Sequence, residues 1–157
     1  MKEIEELTVG DVMTRGVITV NVDDPVKKAA EVMKKYEISA LLVLQKGEGI
    51  GVLTERDIIC KVVADSKDAS KTPVSTVMSH PLITVSPESS VDNAARLMRD
   101  NSIRRLIVTQ KNKIAGIITE SDIVRVEPEL HLLIREKARM EISDAYSETE
   151  RENRKEE

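Results

Sequence analysis

The segment Gly116-Ile-Ile-Thr-Glu-Ser-Asp122-Ile has a near twin 65 positions earlier, Gly51-Val-Leu-Thr-Glu-Arg-Asp57-Ile. Sliding Val9 to Lys61 onto Val74 to Val126 needs no gap and gives 20 identities in 53 pairs, with seven of the other pairs exchanging one aliphatic residue for another. The chain is therefore an internal duplication. A repeat of this length cannot bury its apolar face alone, so two copies are expected to share one core. At 157 residues the chain has the size of one ordinary domain or of two small ones.

Phe and Trp are absent and Tyr occurs twice, so the core must be made of Val, Ile, Leu, Ala and Met. That composition suits β-branched strands under helices. The first copy reads as a strand at Gly16–Val22, then Asp23-Asp24-Pro25 as a helix start, with Val26, Ala29, Ala30 and Met33 at helical spacing as far as Tyr36. Two apolar strands follow, Ala40–Leu44 and Ile50–Thr54, joined by a Gly-containing connection that suits a hairpin. A second helix is expected from Glu55 to Ala64. The second copy repeats the order: Leu82–Val85, a helix carrying Val91, Ala94, Ala95 and Met98, strands near Arg105–Thr109 and Ile114–Thr119, and a helix Glu120–Val126. The expected fold class is mixed α/β, two βαββα repeats plus a C-terminal helix, divided as residues 8–64, a polar linker 65–72, residues 73–126 and a charged tail 127–157. In that tail Leu130, Ile134, Ala138, Ile142 and Tyr146 fall four apart, which predicts a helix from Glu129 to Tyr146 against the body or a second subunit.

Between Glu127 and Glu157 stand 10 acidic and 6 basic residues, and the totals of 28 and 24 leave 18 of each before residue 127. The repeats are neutral and the tail carries the net charge of −4. No region has the basic excess of a nucleic-acid binder. No run approaches a membrane span and no signal peptide is evident, so a cytoplasmic protein is expected. The single cysteine, Cys60, sits in the apolar run Ile58-Ile-Cys-Lys-Val-Val and is expected to be buried and inert.

The doubled segments hold the chemistry. Gly51 and Gly116 begin strands, where glycine admits another backbone or a ligand, or serves packing alone. Thr54 and Thr119 stand at strand-to-helix junctions, where a hydroxyl caps the following helix. Asp57 and Asp122 lie in the first helical turn, where the dipole favours a carboxylate. Together a hydroxyl, amides and a carboxylate could hold a sugar and a phosphate. Arg104 and Arg105 supply the cation in the second copy, where the first has Ser39 and Ala40. Exposed arginines paired with surface carboxylates are the alternative.

The ordered set resembles a pair of CBS domains, regulatory modules named for cystathionine β-synthase and found also in inosine monophosphate dehydrogenase and the γ subunit of AMP-activated protein kinase. The resemblance covers residues 8–126 and rests on the Asp-Val-Met-Thr and Thr-Val-Met-Ser starts at Asp11 and Thr76, the Ile-Thr-Val strands and the doubled Gly-to-Asp segments. It implies two units packed by their sheets about a pseudo-twofold axis, with two clefts for adenosine-containing ligands. One cleft would use Gly16, Val17, Ile18, Ile38, Ser39 and Ala40 with Ile117, Thr119, Ser121 and Asp122, and Arg104 and Arg105 on the phosphate. The other would use Pro81, Leu82, Ile83 and Ile103 with Thr54, Arg56 and Asp57. The arginines favour a phosphorylated nucleotide in the first cleft, while the second stays empty or takes an uncharged adenosyl group.

The expected function is a free-standing sensor of AMP, ADP, ATP or S-adenosylmethionine that modulates an unidentified partner, commonly as a homodimer in this family. No catalytic residue, metal site or resident cofactor is expected. His80 and His131 lack the spacing of a metal or nucleophile site, and a Gly-x-x-x-x-Gly-Lys loop is missing. One alternative is an interaction scaffold that binds no ligand. A remote one is an enzyme with Glu55 or Glu120 as base, although each is a natural first-turn carboxylate.

Overall fold

A computed structural model of the chain describes residues 6–134. The first elements are α1 (Val9–Val12), β1 (Thr14–Arg15), β2 (Thr19–Asn21), α2 (Val26–Tyr36), β3 (Ala40–Gln45), β4 (Glu48–Thr54) and α3 (Glu55–Ile58). A π-helical turn Ile59–Val63 and a 3-10 turn Val74–Thr76 lead to β5 (Thr84–Val85), α4 (Val91–Asn101), β6 (Arg105–Gln110), β7 (Lys113–Thr119) and α5 (Glu120–Val126). The order strand, helix, strand, strand, helix is present twice, in a mixed α/β fold with two sheets, ordered β2-β3-β4 and β1-β7-β6-β5.

The compact units do not coincide with the sequence repeats. One comprises residues 15–84, and the other residues 6–14 together with 85–134. In the first-copy unit β2 pairs in parallel with β3, and β3 pairs antiparallel with β4. Its core is Val20, Val22, Val26, Ala29, Met33, Leu41, Val43, Leu53, Val62, Val74 and Val77. Leu41 and Val43 point to one face because strand side chains alternate, and α2 presents Val26, Ala29 and Met33 on one stripe. Residues 65–72 are tied into this unit. Pro25 gives α2 no side-chain cap, and the carbonyls of Thr72 and Ala69 accept the hydrogen bonds of Val26 N–H and Lys27 N–H at 2.9 and 3.0 Å. The second-copy unit buries Val9, Val91, Ala94, Ala95, Met98, Leu106, Ile107, Ile118 and Ile123, with α1 tied to the loop before α4 by Val9 N–H to Ser89 C=O at 2.8 Å.

The hairpins repeat in detail. Each has a register shift at the same place, between Val43 and Leu44 and between Val108 and Thr109. Each turns on two residues of positive φ, Lys46–Gly47 and Lys111–Asn112, the backbone of a tight hairpin turn.

Several expectations are corrected. The first strand of each copy is shorter than its apolar run, Thr19–Asn21 and Thr84–Val85. Gly16 at φ +80° interrupts the run in the first copy. The helix expected over Glu55–Ala64 turns π-helical at Ile59, with Ala64 N–H bonding Ile59 C=O at 2.9 Å. That turn puts Val62 in the core and Ile59, Cys60 and Val63 outward, so Cys60 is exposed and not buried. Every residue of the run except Lys61 is apolar, so the pattern carried no mark of its inner face. Of the expected tail helix, residues 130–134 are helical with Ile134 buried, and the remainder lies outside the described residues.

Candidate functional site

The candidate residues fall in two sets, one in each unit. Each set centres on a strand-to-helix junction. In the second-copy unit β7 ends at Thr119, whose extended backbone opens α5. Thr119 Oγ1 accepts the Asp122 N–H at 3.2 Å, and Asp122 Oδ2 accepts the Thr119 N–H at 2.9 Å. This is a capping box, a more specific use of both residues than attraction to the helix dipole. Arg105 is directly opposite Thr119 in the β6–β7 ladder. The backbone carbonyl of Arg104 accepts the Glu120 N–H at 2.8 Å. Arginines, hydroxyl and carboxylate thus converge at one end of this sheet. Ile117 is half-buried in β7 opposite Ile107, Ser121 is exposed in the first turn of α5, and Ile103 is half-buried between α4 and β6.

The Arg104 side chain is half-exposed, its Nε 3.9 Å from Glu120 Oε2. Glu120 is only 7% exposed and also meets His131 Nδ1 at 3.0 Å. Sequence reasoning treated Glu120 as a plain first-turn acid and His131 as isolated. The contact spans 11 residues across the Pro128 turn, a distance with no signature in the sequence.

In the first-copy unit Thr54 and Asp57 form the same capping box at 3.0 and 3.1 Å. The carboxylate of Asp57 does more here. Its Oδ2 also accepts Thr54 Oγ1–H at 3.0 Å, and its Oδ1 accepts Lys61 Nζ at 3.0 Å and Ser79 Oγ–H at 3.0 Å. Lys61 Nζ is further held by the Val77 carbonyl at 3.0 Å. Asp57 is 6% exposed. The residues paired with this junction are Ser39, whose carbonyl accepts the Glu55 N–H at 3.0 Å, and Ala40, opposite Thr54 in the ladder.

Gly51 and Gly116 lie in the middle of β4 and β7 and not at their starts, and Gly51 serves close backbone approach. A Cβ there would lie 2.6 Å from the Ser79 carbonyl oxygen, and Val52 and Ser79 exchange backbone hydrogen bonds at 3.0 and 2.8 Å. Gly116 holds the equivalent ladder position, opposite Val108 as Gly51 is opposite Val43. Gly16 and Arg56 are exposed, Val17 and Ile18 half-buried, and Ile18 C=O accepts the Leu42 N–H at 3.1 Å. Ile38 is half-buried where α2 ends in a left-handed residue, Glu37. Pro81 is exposed, with Leu82 and Ile83 half-buried before β5.

A groove of about 580 Å³ lies between α2 and α3 in the first-copy unit, lined by Ala30, Met33, Lys34, Glu37, Ile38, Glu55, Ile58 and Ile59. Ile38 alone of the cleft residues lines it. Among the described residues no cluster of three or more His, Cys, Asp or Glu could hold a metal ion, and no helix is long and apolar enough to cross a membrane.

The family model "CBS domain" matches residues 9–64 and 74–129. The CBS domain-containing protein YhcV of Bacillus subtilis is 37% identical over 116 residues, covering 74% of this chain and 82% of that protein. A conserved CBS domain protein of Thermoplasma acidophilum superposes with a TM-score of 0.79 at 26% identity, over 85% of this chain and 77% of that one. A hexameric CBS-CP12 protein from bloom-forming cyanobacteria superposes with a TM-score of 0.74 at 30% identity, over 92% and 88%.

Proposed function

The chain belongs to the CBS-domain family, and from that premise we propose that it is a cytoplasmic regulatory sensor that binds AMP, ADP, ATP or S-adenosylmethionine and modulates a partner protein. Members consisting of CBS domains alone are generally regulatory and non-catalytic. The observation that carries the ligand reading is the convergence of Arg105, Thr119 and Asp122 in the second-copy unit. A carboxylate with unused acceptor sites suits a pair of ribose hydroxyls, and a guanidinium suits phosphate oxygens. Self-association is part of the proposal. The outward Ile59 and Val63, 60% and 68% exposed, form an apolar strip on the first-copy unit, and the cyanobacterial relative is a hexamer.

The test is thermal unfolding with and without AMP, ADP, ATP, S-adenosylmethionine and GTP. A ligand at about 100 times its dissociation constant adds roughly 2.7 kcal/mol, a rise on the order of 5 to 10 °C for a chain of this size. Adenosyl compounds are expected to raise the midpoint and GTP to leave it unchanged. A midpoint unmoved by any of them favours the other reading, a scaffold without ligand. The specific support for that reading is that the capping boxes already give both Thr–Asp pairs a structural task.

A further inference from the structure

The duplicated carboxylates are not equivalent, and the difference lies in side chains that the resemblance leaves unassigned. A carboxylate offers about four acceptor sites. Those of Asp57 are taken by Thr54 N–H, Thr54 Oγ1, Lys61 Nζ and Ser79 Oγ. Asp122 accepts one hydrogen bond among the described residues, from Thr119 N–H to Oδ2, which leaves its Oδ1 without a partner. The sequence cause is plain. Lys61 stands four residues after Asp57, and the residue four after Asp122 is Val126, 42% exposed and unable to donate. Thr14, at the position matching Ser79, makes no hydrogen bond to Asp122.

We propose that Lys61, seconded by Ser79, is the residue that closes the first copy's carboxylate to ligands, so that the chain takes one adenosine-containing molecule and takes it at Asp122. This rests on the sensor reading above. The ammonium neutralises the carboxylate and is itself anchored to the Val77 carbonyl. Two ribose hydroxyls arriving at Asp57 would have to displace a charge-assisted hydrogen bond and a hydroxyl at once, whereas at Asp122 they meet open lone pairs. The duplication thus yields one binding carboxylate and one structural one.

The experiment is equilibrium dialysis against radiolabelled adenosine, a probe whose lack of phosphate removes any attraction to the altered lysine charges. Three proteins are compared: the wild type, Lys61→Val, which installs the second copy's residue, and Val126→Lys, which installs the first copy's. The wild type is expected to hold one adenosine per chain and Lys61→Val two. Val126→Lys is expected to bind at least tenfold more weakly. Because position 126 is exposed, that arm stands even where Lys61→Val unfolds. Two molecules on the wild type, or wild-type affinity in Val126→Lys, overturns the assignment while leaving the sensor reading intact. A folded wild type that retains neither adenosine nor AMP overturns both.

Discussion

Replacing Asp122 and Arg105 together by alanine is expected to abolish AMP binding while the chain stays folded. A ribose held by Asp122 and a phosphate held by Arg105 are charge-assisted contacts of roughly 1.5 to 3 kcal/mol each. Losing both weakens binding by about two to four orders of magnitude. The structural cost is small by comparison. Asp122 contributes a capping interaction worth about 1 kcal/mol, and neither side chain is among the buried core. Titration calorimetry of the double variant, with its thermal midpoint as control, separates the two effects. An affinity within threefold of wild type in a folded double variant contradicts the placing of the ligand at this end of the second-copy sheet.

The second large effect is on stability. Asp57→Ala is expected to cost about 2 to 4 kcal/mol and to lower the midpoint by roughly 5 to 15 °C, because it strands the Thr54 N–H and the Ser79 hydroxyl around a buried site. The Lys61 ammonium adds little to that figure, since it is 44% exposed and water replaces its partner. Asp122→Ala removes a cap alone and costs about 1 kcal/mol. Two positions that look identical in the sequence are therefore expected to differ in stability effect by about 1 to 3 kcal/mol, in the direction opposite to their effect on binding. Thermal unfolding of the two single variants checks this, and equal midpoints contradict it.

Much of the fold could be read directly because period and duplication supported each other. α2 begins and ends at the residues its apolar spacing indicates, Val26 and Tyr36, and α5 spans Glu120–Val126 as expected. Both hairpins followed from apolar runs around a turn. The misplaced elements were those where several backbones fit one apolar run. Ile58 to Val63 is compatible with an α-helix or a π turn, and only packing around Val62 decides which faces point outward. β2 and β5 are shorter than their apolar runs, and in the first copy the run is interrupted at Gly16 by a positive φ that side-chain hydropathy does not encode.

For the site, Thr54, Thr119, Asp57 and Asp122 were legible as junction residues, since a hydroxyl and an acid three apart have a local task. Lys61 is a partner that the sequence analysis missed, although its i,i+4 spacing from Asp57 is the signal that finds it once the two copies are compared. Ser79 has no such signal. It reaches Asp57 across 22 residues because the segment before β5 folds back along β4, and its close approach is what Gly51 accommodates. Glu120 and His131 belong to the same class, a pairing made by chain reversal at Pro128.

The most direct test of the account is equilibrium dialysis of the purified chain against radiolabelled AMP and, separately, S-adenosylmethionine. Saturable retention of at least one of them, at one molecule per chain, is the predicted result. A folded chain that retains neither at concentrations up to the millimolar range contradicts the sensor reading and leaves the scaffold reading in its place.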